Sequence, residues 1–363
     1  MHSNPGATLK IPNITFGKES KLTIIGESSF YGCSNLWSIS IPSSVLEIGN
    51  KAFYKCLNLE NITFEEESNL TIIGSYSFYG CSNLKSIFFN EQTNLITIGN
   101  FALSNCSNLE TISFCGCKQL KSISIPSSIK YFNNSCFYNC LNLENVTFEE
   151  ESNLMVIGES SFYGCSKLKS VSIPILVSEI GNEAFYNCSN LENITFEKES
   201  KLTIIGNYSF SNCNSLETIK LPHQLKEISS HSFEGCTELR SITILSNISK
   251  IQEHAFLNCS NLECILYYGT NNPNISYNSF SGCEKLSLII TYLTYSSETF
   301  ESFKVLKTSE LPLTCPSKSN KLKSGEIASI VICSFIFIVI ICFVLFFTVF
   351  RKMKNKKPDE DTP

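Results

Sequence analysis

The stretch IGNKAFYKCLNLENITF at residues 48–64 is one copy of a pattern that recurs through most of this chain. It returns almost unchanged as IGNEAFYNCSNLENITF at 180–196, and the ten residues IGESSFYGCS occur both at 25–34 and at 157–166. A catalytic site needs its residues once, whereas a repeated structural unit needs them in every copy. The sequence therefore predicts a repeat architecture.

The motif Phe-x-x-Cys marks the period of the repeat. Its cysteines are Cys33, Cys56, Cys81, Cys106, Cys140, Cys165, Cys188, Cys213, Cys236, Cys259 and Cys283. Most neighbours are 23 to 25 residues apart, but 34 residues separate Cys106 from Cys140. A short copy ending at Cys117 divides that gap into 11 and 23 residues. We therefore count twelve rungs over residues 9–291, with Leu103 replacing the marker phenylalanine in one of them.

Each rung contains the pattern Leu-x-x-Ile-x-Ile, which is typical of a short strand with apolar residues on one face. A single rung cannot bury that face, but stacked rungs form a continuous core. The glycine that follows an isoleucine, as in Ile48-Gly49, indicates either a positive φ or a close backbone approach. The predicted fold is a right-handed, β-rich leucine-rich-repeat solenoid, with isoleucine largely replacing leucine in the strand.

The rung, read as IGxxAFxxCxxLxSIxIP, resembles the BspA-like leucine-rich repeats. These repeats occur in surface proteins of some anaerobic bacteria and parasitic protists, and the match covers about three quarters of this chain. The resemblance implies a location at the cell surface and a role in adhesion or host contact. It does not identify a ligand.

An uncharged apolar segment, IASIVICSFIFIVIICFVLFFTVF, occupies residues 327–350. As a helix it would be about 36 Å long, which is enough to cross a bilayer. The segment RKMKNKK follows it, whereas Lys318, Lys321 and Lys323 precede it. Because positive residues favour the cytoplasmic side, we predict a single C-terminal transmembrane helix, a cytoplasmic tail at 351–363 and extracellular repeats at the plasma membrane.

The remaining segments flank the repeats. Residues 1–8 form an N-terminal stub without the pattern of a cleavable signal peptide. Residues 292–326 lose the repeat and become rich in serine, lysine and proline, so we expect a cap followed by a stalk.

Composition and charge exclude several classes of protein. The chain is 43% hydrophobic and 17% charged, which is typical of a folded protein with a large core, and its net charge is −5. No basic stripe indicates nucleic-acid binding. The four histidines, His2, His223, His231 and His254, are expected at unrelated repeat positions, and no catalytic constellation escapes the repeat. We therefore expect neither enzyme activity nor a cofactor.

The marker cysteines are predicted to be buried free thiols. Stacked rungs place their side chains about 4.8 Å apart and in parallel, whereas a disulfide requires converging Cβ atoms about 3.8 Å apart. Occasional cross-rung disulfides in an oxidising exterior remain the alternative. Cys115, Cys117, Cys136 and Cys140 resemble a four-thiolate zinc set, but the repeat already explains two of them, so we expect no metal.

The outward strand positions are where a ligand would bind. The residue after the strand leucine forms a charge column: Trp37, Glu60, Lys85, Glu110, Lys121, Glu144, Lys169, Glu192, Glu217, Arg240 and Glu263. Its alternating sign supports rung stacking, although a charged docking strip is the alternative. Phe88 and Leu266 interrupt a row otherwise rich in serine and threonine. Five residues are candidate ligand contacts, namely Trp37, Lys85, Phe88, Arg240 and Leu266, unless imperfect copying of the repeat placed them there.

Several asparagines lie in glycosylation sequons. The candidate glycosylation sites are Asn69, Asn207, Asn247 and Asn274. Four others, Asn13, Asn61, Asn145 and Asn193, share one strand position, and we expect them to be mostly unmodified.

Together these features predict a single-pass surface protein whose repeats bind a protein or glycan ligand on a host, bacterial or neighbouring cell. Two alternatives remain at this level. Repeat surfaces that associate laterally into a coat would need no foreign ligand, and an antigenic-variation protein would need only shuffled repeats.

Overall fold

The computed structural model describes residues 13–17, 20–89, 92–312 and 314–315. One compact unit extends to Leu311, and a second begins at Pro312. The predicted stub at 1–8, residues 313 and 316–326 of the predicted cap and stalk, the membrane segment at 327–350 and the tail at 351–363 lie outside the described residues. Within the described ranges, no helix has the length and apolar character needed to cross a bilayer.

The rungs are built from two kinds of strand, called here long and short. The long strands are β1 (Asn13–Ile14), β3 (Ser38–Ile41), β5 (Asn61–Phe64), β7 (Ser86–Phe88), β9 (Thr111–Ser113), β10 (Ser122–Ile125), β12 (Asn145–Phe148), β14 (Ser170–Ile173), β16 (Asn193–Phe196), β18 (Thr218–Leu221), β20 (Ser241–Ile244), β22 (Cys264–Tyr267), β24 (Leu288–Tyr292) and β26 (Phe303–Thr308). The short strands are β2 (Ile24–Ile25), β4 (Glu47–Ile48), β6 (Ile72–Ile73), β8 (Thr97–Ile98), β11 (Tyr131–Phe132), β13 (Val156–Ile157), β15 (Glu179–Ile180), β17 (Ile204–Ile205), β19 (Glu227–Ile228), β21 (Lys250–Ile251), β23 (Asn274–Ile275) and β25 (Thr299–Phe300).

Strands of one kind stack in parallel and in register along most of the chain. Ile39 pairs with Ile62 between β3 and β5, for example, and both side chains are buried. The outward residues alternate with them, as a sheet with one buried face requires. This arrangement confirms the β-solenoid of about twelve turns that the repeat predicts. At the far end β26 pairs with β24, and β25 adds an antiparallel partner.

The marker phenylalanines form a ladder through the core. Ring centroids of neighbouring phenylalanines lie 5.0 to 5.5 Å apart in near-parallel stacks, from Phe114 through Phe137, Phe162, Phe185, Phe210, Phe233, Phe256 and Phe280. Stacked rings of this kind stabilise by about 0.5–1.5 kcal/mol beyond their burial. The rung period therefore sets the ring spacing, and each ring holds its neighbours in register.

The marker cysteines are free thiols, as predicted, and all but Cys33 are buried. From Cys56 onward most of these cysteines donate a hydrogen bond from Sγ to the backbone carbonyl of the marker phenylalanine in the preceding rung. Cys188, for example, donates to Phe162 at 3.1 Å. A small apolar side chain with a weak donor suits this position, because it fills the core and satisfies a buried carbonyl. Cys264, which is not a marker cysteine, is disulfide-bonded.

Burial makes these thiols a source of alkaline instability. It raises the pKa of Cys106 and Cys117 from 9.0 to about 12. Below pH 9 both the folded and the unfolded chain keep these protons, so the stabilisation is complete. Between pH 9 and 12 only the unfolded chain releases them, and the free energy of unfolding falls as pH rises.

We expect Cys106→Ala to flatten this pH dependence. The wild-type free energy of unfolding should fall more steeply between pH 9.5 and 11, by about 1.4 kcal/mol per pH unit for the one thiol removed. Urea titrations of both proteins across this range measure the difference. Identical slopes would contradict a thiol that stays protonated in the fold.

The glycine after the short strand permits close approach of neighbouring rungs. A Cβ on Gly49 would lie 2.7 Å from the backbone nitrogen of Glu27, and the same collision recurs in later rungs. None of these glycines has a positive φ. Of the two explanations that the sequence left open, the structure selects the close approach.

The short rung at 106–117, called here the junction, exchanges the two kinds of strand. Across it the long strand β10 lies beside the short strand β8, and the short strand β11 lies beside the long strand β9. The long and short sheets of the N-terminal rungs accordingly end at β9 and β8, and new sheets begin at β10 and β11. Because the junction has 11 residues instead of about 23, the chain advances by about half a turn.

One row of backbone hydrogen bonds crosses the junction and shows this exchange. Each N–H donates to the carbonyl of the preceding rung: Leu46 to Thr23 (2.8 Å), Thr71 to Leu46 (2.9 Å), Ile96 to Thr71 (2.9 Å), Lys121 to Ile96 (3.2 Å) and Glu144 to Lys121 (2.9 Å). The first four residues flank short strands, and the last two flank long strands. The row therefore passes from one kind of strand to the other without interruption.

Phe114 shows the same exchange in the core. It stacks on Phe89, the residue after strand β7, at 5.1 Å and on the marker Phe137 at 5.5 Å. The stack of phenylalanines at the ends of the N-terminal long strands is thus continuous with the ladder of marker phenylalanines in the C-terminal rungs. The long strands consequently face one side of the solenoid before the junction and the other side after it.

Candidate functional site

Two surfaces carry the outward side chains of the long strands. We call the outward side of β1, β3, β5, β7 and β9 the N-terminal face, and that of the seven long strands from β10 to β22 the C-terminal face. The sequence pattern predicts one continuous charge column, but the junction divides this column between the two faces. Lys121 is bonded through its backbone to Ile96, not to Glu110, so the predicted neighbours Glu110 and Lys121 lie on different faces.

The N-terminal face brings together three of the predicted contact residues. Lys85 forms an ion pair with Glu60 of the next strand, with 3.2 Å between Nζ and Oε2. Phe88 ends strand β7, which Lys85 directly precedes, and it is 55% exposed. Trp37 is half-buried beside β3 at the start of the face. The surroundings are mostly small, with Ser40, Thr63 and Ser113 in the same row.

The C-terminal face carries a regular column of charges. Its members are Lys121, Glu144, Lys169, Glu192, Glu217, Arg240 and Glu263. Backbone bonds fix the spacing of most neighbours, such as Glu192 to Lys169 and Arg240 to Glu217 at 2.9 and 2.8 Å. Arg240, a predicted contact, is exposed on this face, and its guanidinium lies 3.5 Å from Glu238. It does not lie near Phe88, because the junction separates the two faces.

The prediction that Leu266 is a ligand contact is wrong. Its side chain is completely buried. All four residues of β22 are buried, whereas Glu263, which directly precedes the strand, is partly exposed. An outward position in the repeat predicts exposure only where nothing covers the sheet, and here the apolar residue marks a covered position.

The sequence did not single out a groove beside β16 and β18. It has a volume of about 780 Å³, and Thr195, Lys198, Lys220 and His223 are among its lining residues. No ladder pairing joins β16 to β18 among the described strands. The charge column repeats a sign here, with Glu192 followed by Glu217, and like charges on neighbouring strands are unfavourable. Lys220, which replaces serine or threonine in the outward row, was the available signal.

Two histidines share one repeat position, contrary to the expectation of unrelated positions. His231 and His254 both have positive φ, and their ring centroids lie 4.7 Å apart with the ring planes tilted by 46°. Nδ1 of His231 lies 2.8 Å from Glu234, and its Nε2 lies 3.3 Å from Nδ1 of His254. Within the described ranges no group of three metal-ligating side chains occurs, there or among the cysteines of the junction.

The sequon asparagines are accessible on both strands and loops. Asn69, Asn207, Asn247 and Asn274 are exposed, but so are Asn61, Asn145 and Asn193 on the long strands. Accessibility therefore does not separate the two sets. That the strand asparagines are unmodified stays a prediction.

Several solved structures of leucine-rich-repeat proteins are similar to this chain. A leucine-rich-repeat protein from Bacteroides ovatus is 28% identical over 82% of this chain and 92% of its own, with a TM-score of 0.40. One from Eubacterium ventriosum is 22% identical over 82% and 84%, with a TM-score of 0.39. A leucine-rich cell surface protein from Faecalibacterium prausnitzii is 25% identical over 74% and 83%, with a TM-score of 0.28.

Among curated proteins none matches the chain. The family model described as BspA type leucine-rich repeat region matches in six copies, which cover residues 7–115, 110–202 and 178–307. These matches span the junction and reach β26. The chain therefore belongs to the BspA-type leucine-rich-repeat family.

Proposed function

We propose that this protein binds a protein ligand on another cell through its N-terminal face, while residues 327–350 anchor it in the plasma membrane with the repeats outside. Membership of this repeat family is consistent with protein–protein recognition. The observation that carries the proposal is the exposed Phe88 beside the Lys85–Glu60 ion pair.

This pairing of an aromatic with fixed charges suits a protein interface. Aromatic residues are enriched at binding hot spots, where they fill a pocket on the partner and exclude water. Lys85 is held on a strand by its neighbour Glu60, so less side-chain entropy is lost when a partner binds. Because the other residues of the row have small hydroxyl side chains, the ring of Phe88 projects beyond its neighbours.

Two features support the extracellular orientation. The uncharged segment at 327–350 is followed by five basic residues within 351–357. Cys264 is disulfide-bonded, and disulfides persist in oxidising compartments. A tag near residue 8, stained on intact cells, tests the orientation before any ligand is sought.

We expect Phe88→Ser to weaken cell adhesion about tenfold or more, because it removes the proposed anchor. Serine is the ordinary residue of this row, so the strand should remain folded. The full chain is displayed on a non-adherent cell line, and attachment to host-type cell monolayers is measured as a function of display level.

Phe101→Ser is the matched control, since Phe101 is 49% exposed but lies on a turn between rungs. Equal losses from both substitutions would contradict a specific site at Phe88. Saturable self-association of displaying cells, without attachment to other cells, would favour a surface coat instead.

A further inference from the structure

We infer that the C-terminal face docks on the same face of a second copy of this chain, in a two-fold symmetric, antiparallel dimer centred on Glu192. The order of charges along the seven long strands from β10 to β22 carries this inference. It does not depend on the ligand proposed for the N-terminal face.

The geometry follows from the regular spacing of the strands. Paired strands are about 4.8 Å apart, and β16 and β18 are also neighbours although no ladder pairing joins them. The charge column is therefore a row with one position on each successive strand. A two-fold axis that runs along the strand direction at β16 lays this row on its own reverse. The first position then meets the seventh, the second meets the sixth, the third meets the fifth, and the fourth meets itself.

The charges are complementary in this register. The three pairings are Lys121 with Glu263, Glu144 with Arg240, and Lys169 with Glu217. Each occurs twice in a symmetric dimer, which gives six opposite-charge pairs. Glu192 meets its own copy at the axis and is the single unfavourable contact.

Neighbouring registers are strongly disfavoured. A shift by one strand in one direction places Lys121 against Arg240 and Glu144 against Glu217. A shift in the other direction places Glu144 against Glu263 and Lys169 against Arg240. Like charges face each other in all these pairs, and the first shift adds only one opposite-charge pairing, Lys169 with Glu192. The column therefore selects one register as well as one partner.

The surroundings of the column permit a close approach. Most outward residues beside it are small hydroxyl side chains, such as Ser170, Ser172 and Thr243. The longer charged side chains therefore project furthest from the face. Glycans on Asn145 or Asn193 would block this contact, so the dimer also requires these sequons to be unoccupied.

The junction gives the dimer a functional meaning. Because the long strands change side there, the N-terminal face of each copy points away from the side used for dimerisation. Two copies joined through their C-terminal faces would therefore leave both N-terminal faces open. One dimer would carry two equivalent binding faces, directed to opposite sides.

Charge-reversal variants test the pairing of Lys169 with Glu217. Lys169→Glu and Glu217→Lys are each expected to raise the dimer dissociation constant of the full chain about tenfold or more, because each creates two like-charge pairs. The chain is purified in mild detergent, since residues 327–350 are apolar, and its mass is followed by analytical ultracentrifugation against concentration.

An equimolar mixture of the two variants should restore a dimer close to wild-type affinity. In the mixed pair every position 169 meets an opposite charge at position 217, although the charges within each chain are unchanged from the separate variants. Restoration therefore isolates the contact between copies from effects on folding. Lys226→Glu, at an exposed site beside the short strand β19, is the control and should leave dimerisation unchanged.

Removing the charge at the axis provides an independent check. Glu192→Gln should tighten the dimer about threefold, since it relieves the one like-charge contact. A wild-type chain that stays monomeric, variants whose mixture fails to associate, or a Glu192→Gln dimer that is not tighter would overturn the proposal.

Discussion

Replacing Gly206 with alanine is expected to lower the free energy of unfolding by about 2–4 kcal/mol, whereas the same change at Gly26 should be neutral or slightly stabilising. A Cβ on Gly206 would lie 2.5 Å from the backbone nitrogen of Asn182 and 2.6 Å from the carbonyl carbon of Gly181. Both obstacles are backbone atoms of the preceding rung, so no side-chain rotation relieves the collision. The two rungs must separate.

Gly26 is a matched control because it occupies the same position in the first rung. No atom lies within 4 Å of a Cβ built there, and its φ is not positive. Guanidinium titrations followed by circular dichroism compare the two variants with the wild type. An equal loss of stability at both positions would mean that glycine is required for its conformation and not for the approach of neighbouring rungs.

The repeat pattern was sufficient to predict the core of this fold. Every inward isoleucine and leucine of a rung recurs at a fixed spacing, so the side chains that stack can be found without coordinates. The state of the marker cysteines followed as well, because their spacing is the strand spacing. Phe185 illustrates the point, since its stacking between Phe162 and Phe210 is implied by three copies of one motif.

The exchange of strands at the junction could not be predicted from the pattern. Phe114 and Cys117 complete a marker motif, so the sequence reads as one more rung of the same kind. What is missing is the segment between the long strand and the marker, and its absence turns the chain through half a turn. A short period in a repeat is therefore evidence about which side the later strands face.

The surface was predicted less well than the core. Phe88 and Arg240 are exposed as expected, but Leu266 is buried and the groove at Lys220 was overlooked. An outward position states only that a side chain leaves the core. Whether it meets solvent depends on segments that have no fixed place in the repeat.

Both the open N-terminal face and the dimer depend on the separation of the two faces by the junction. This separation can be tested with pairs of pyrene labels on engineered cysteines. Cys33 and Cys115 are first replaced by serine, because the other free cysteines of the described rungs are buried and should not react. Thr97→Cys with Ser122→Cys is one pair, and Thr111→Cys with Ser122→Cys is the other.

The bond from Lys121 to Ile96 places Thr97 beside Ser122 on neighbouring strands, about 4.8 Å apart, whereas Thr111 lies on the other side of the solenoid. Pyrene labels give excimer fluorescence only when they touch, and dilution removes any contribution from association between chains. Strong excimer emission is expected from labels at 97 and 122, and none from labels at 111 and 122. Excimer emission from 111 and 122 alone would show that the long strands continue on one side through the junction, and would contradict the separation of the two faces.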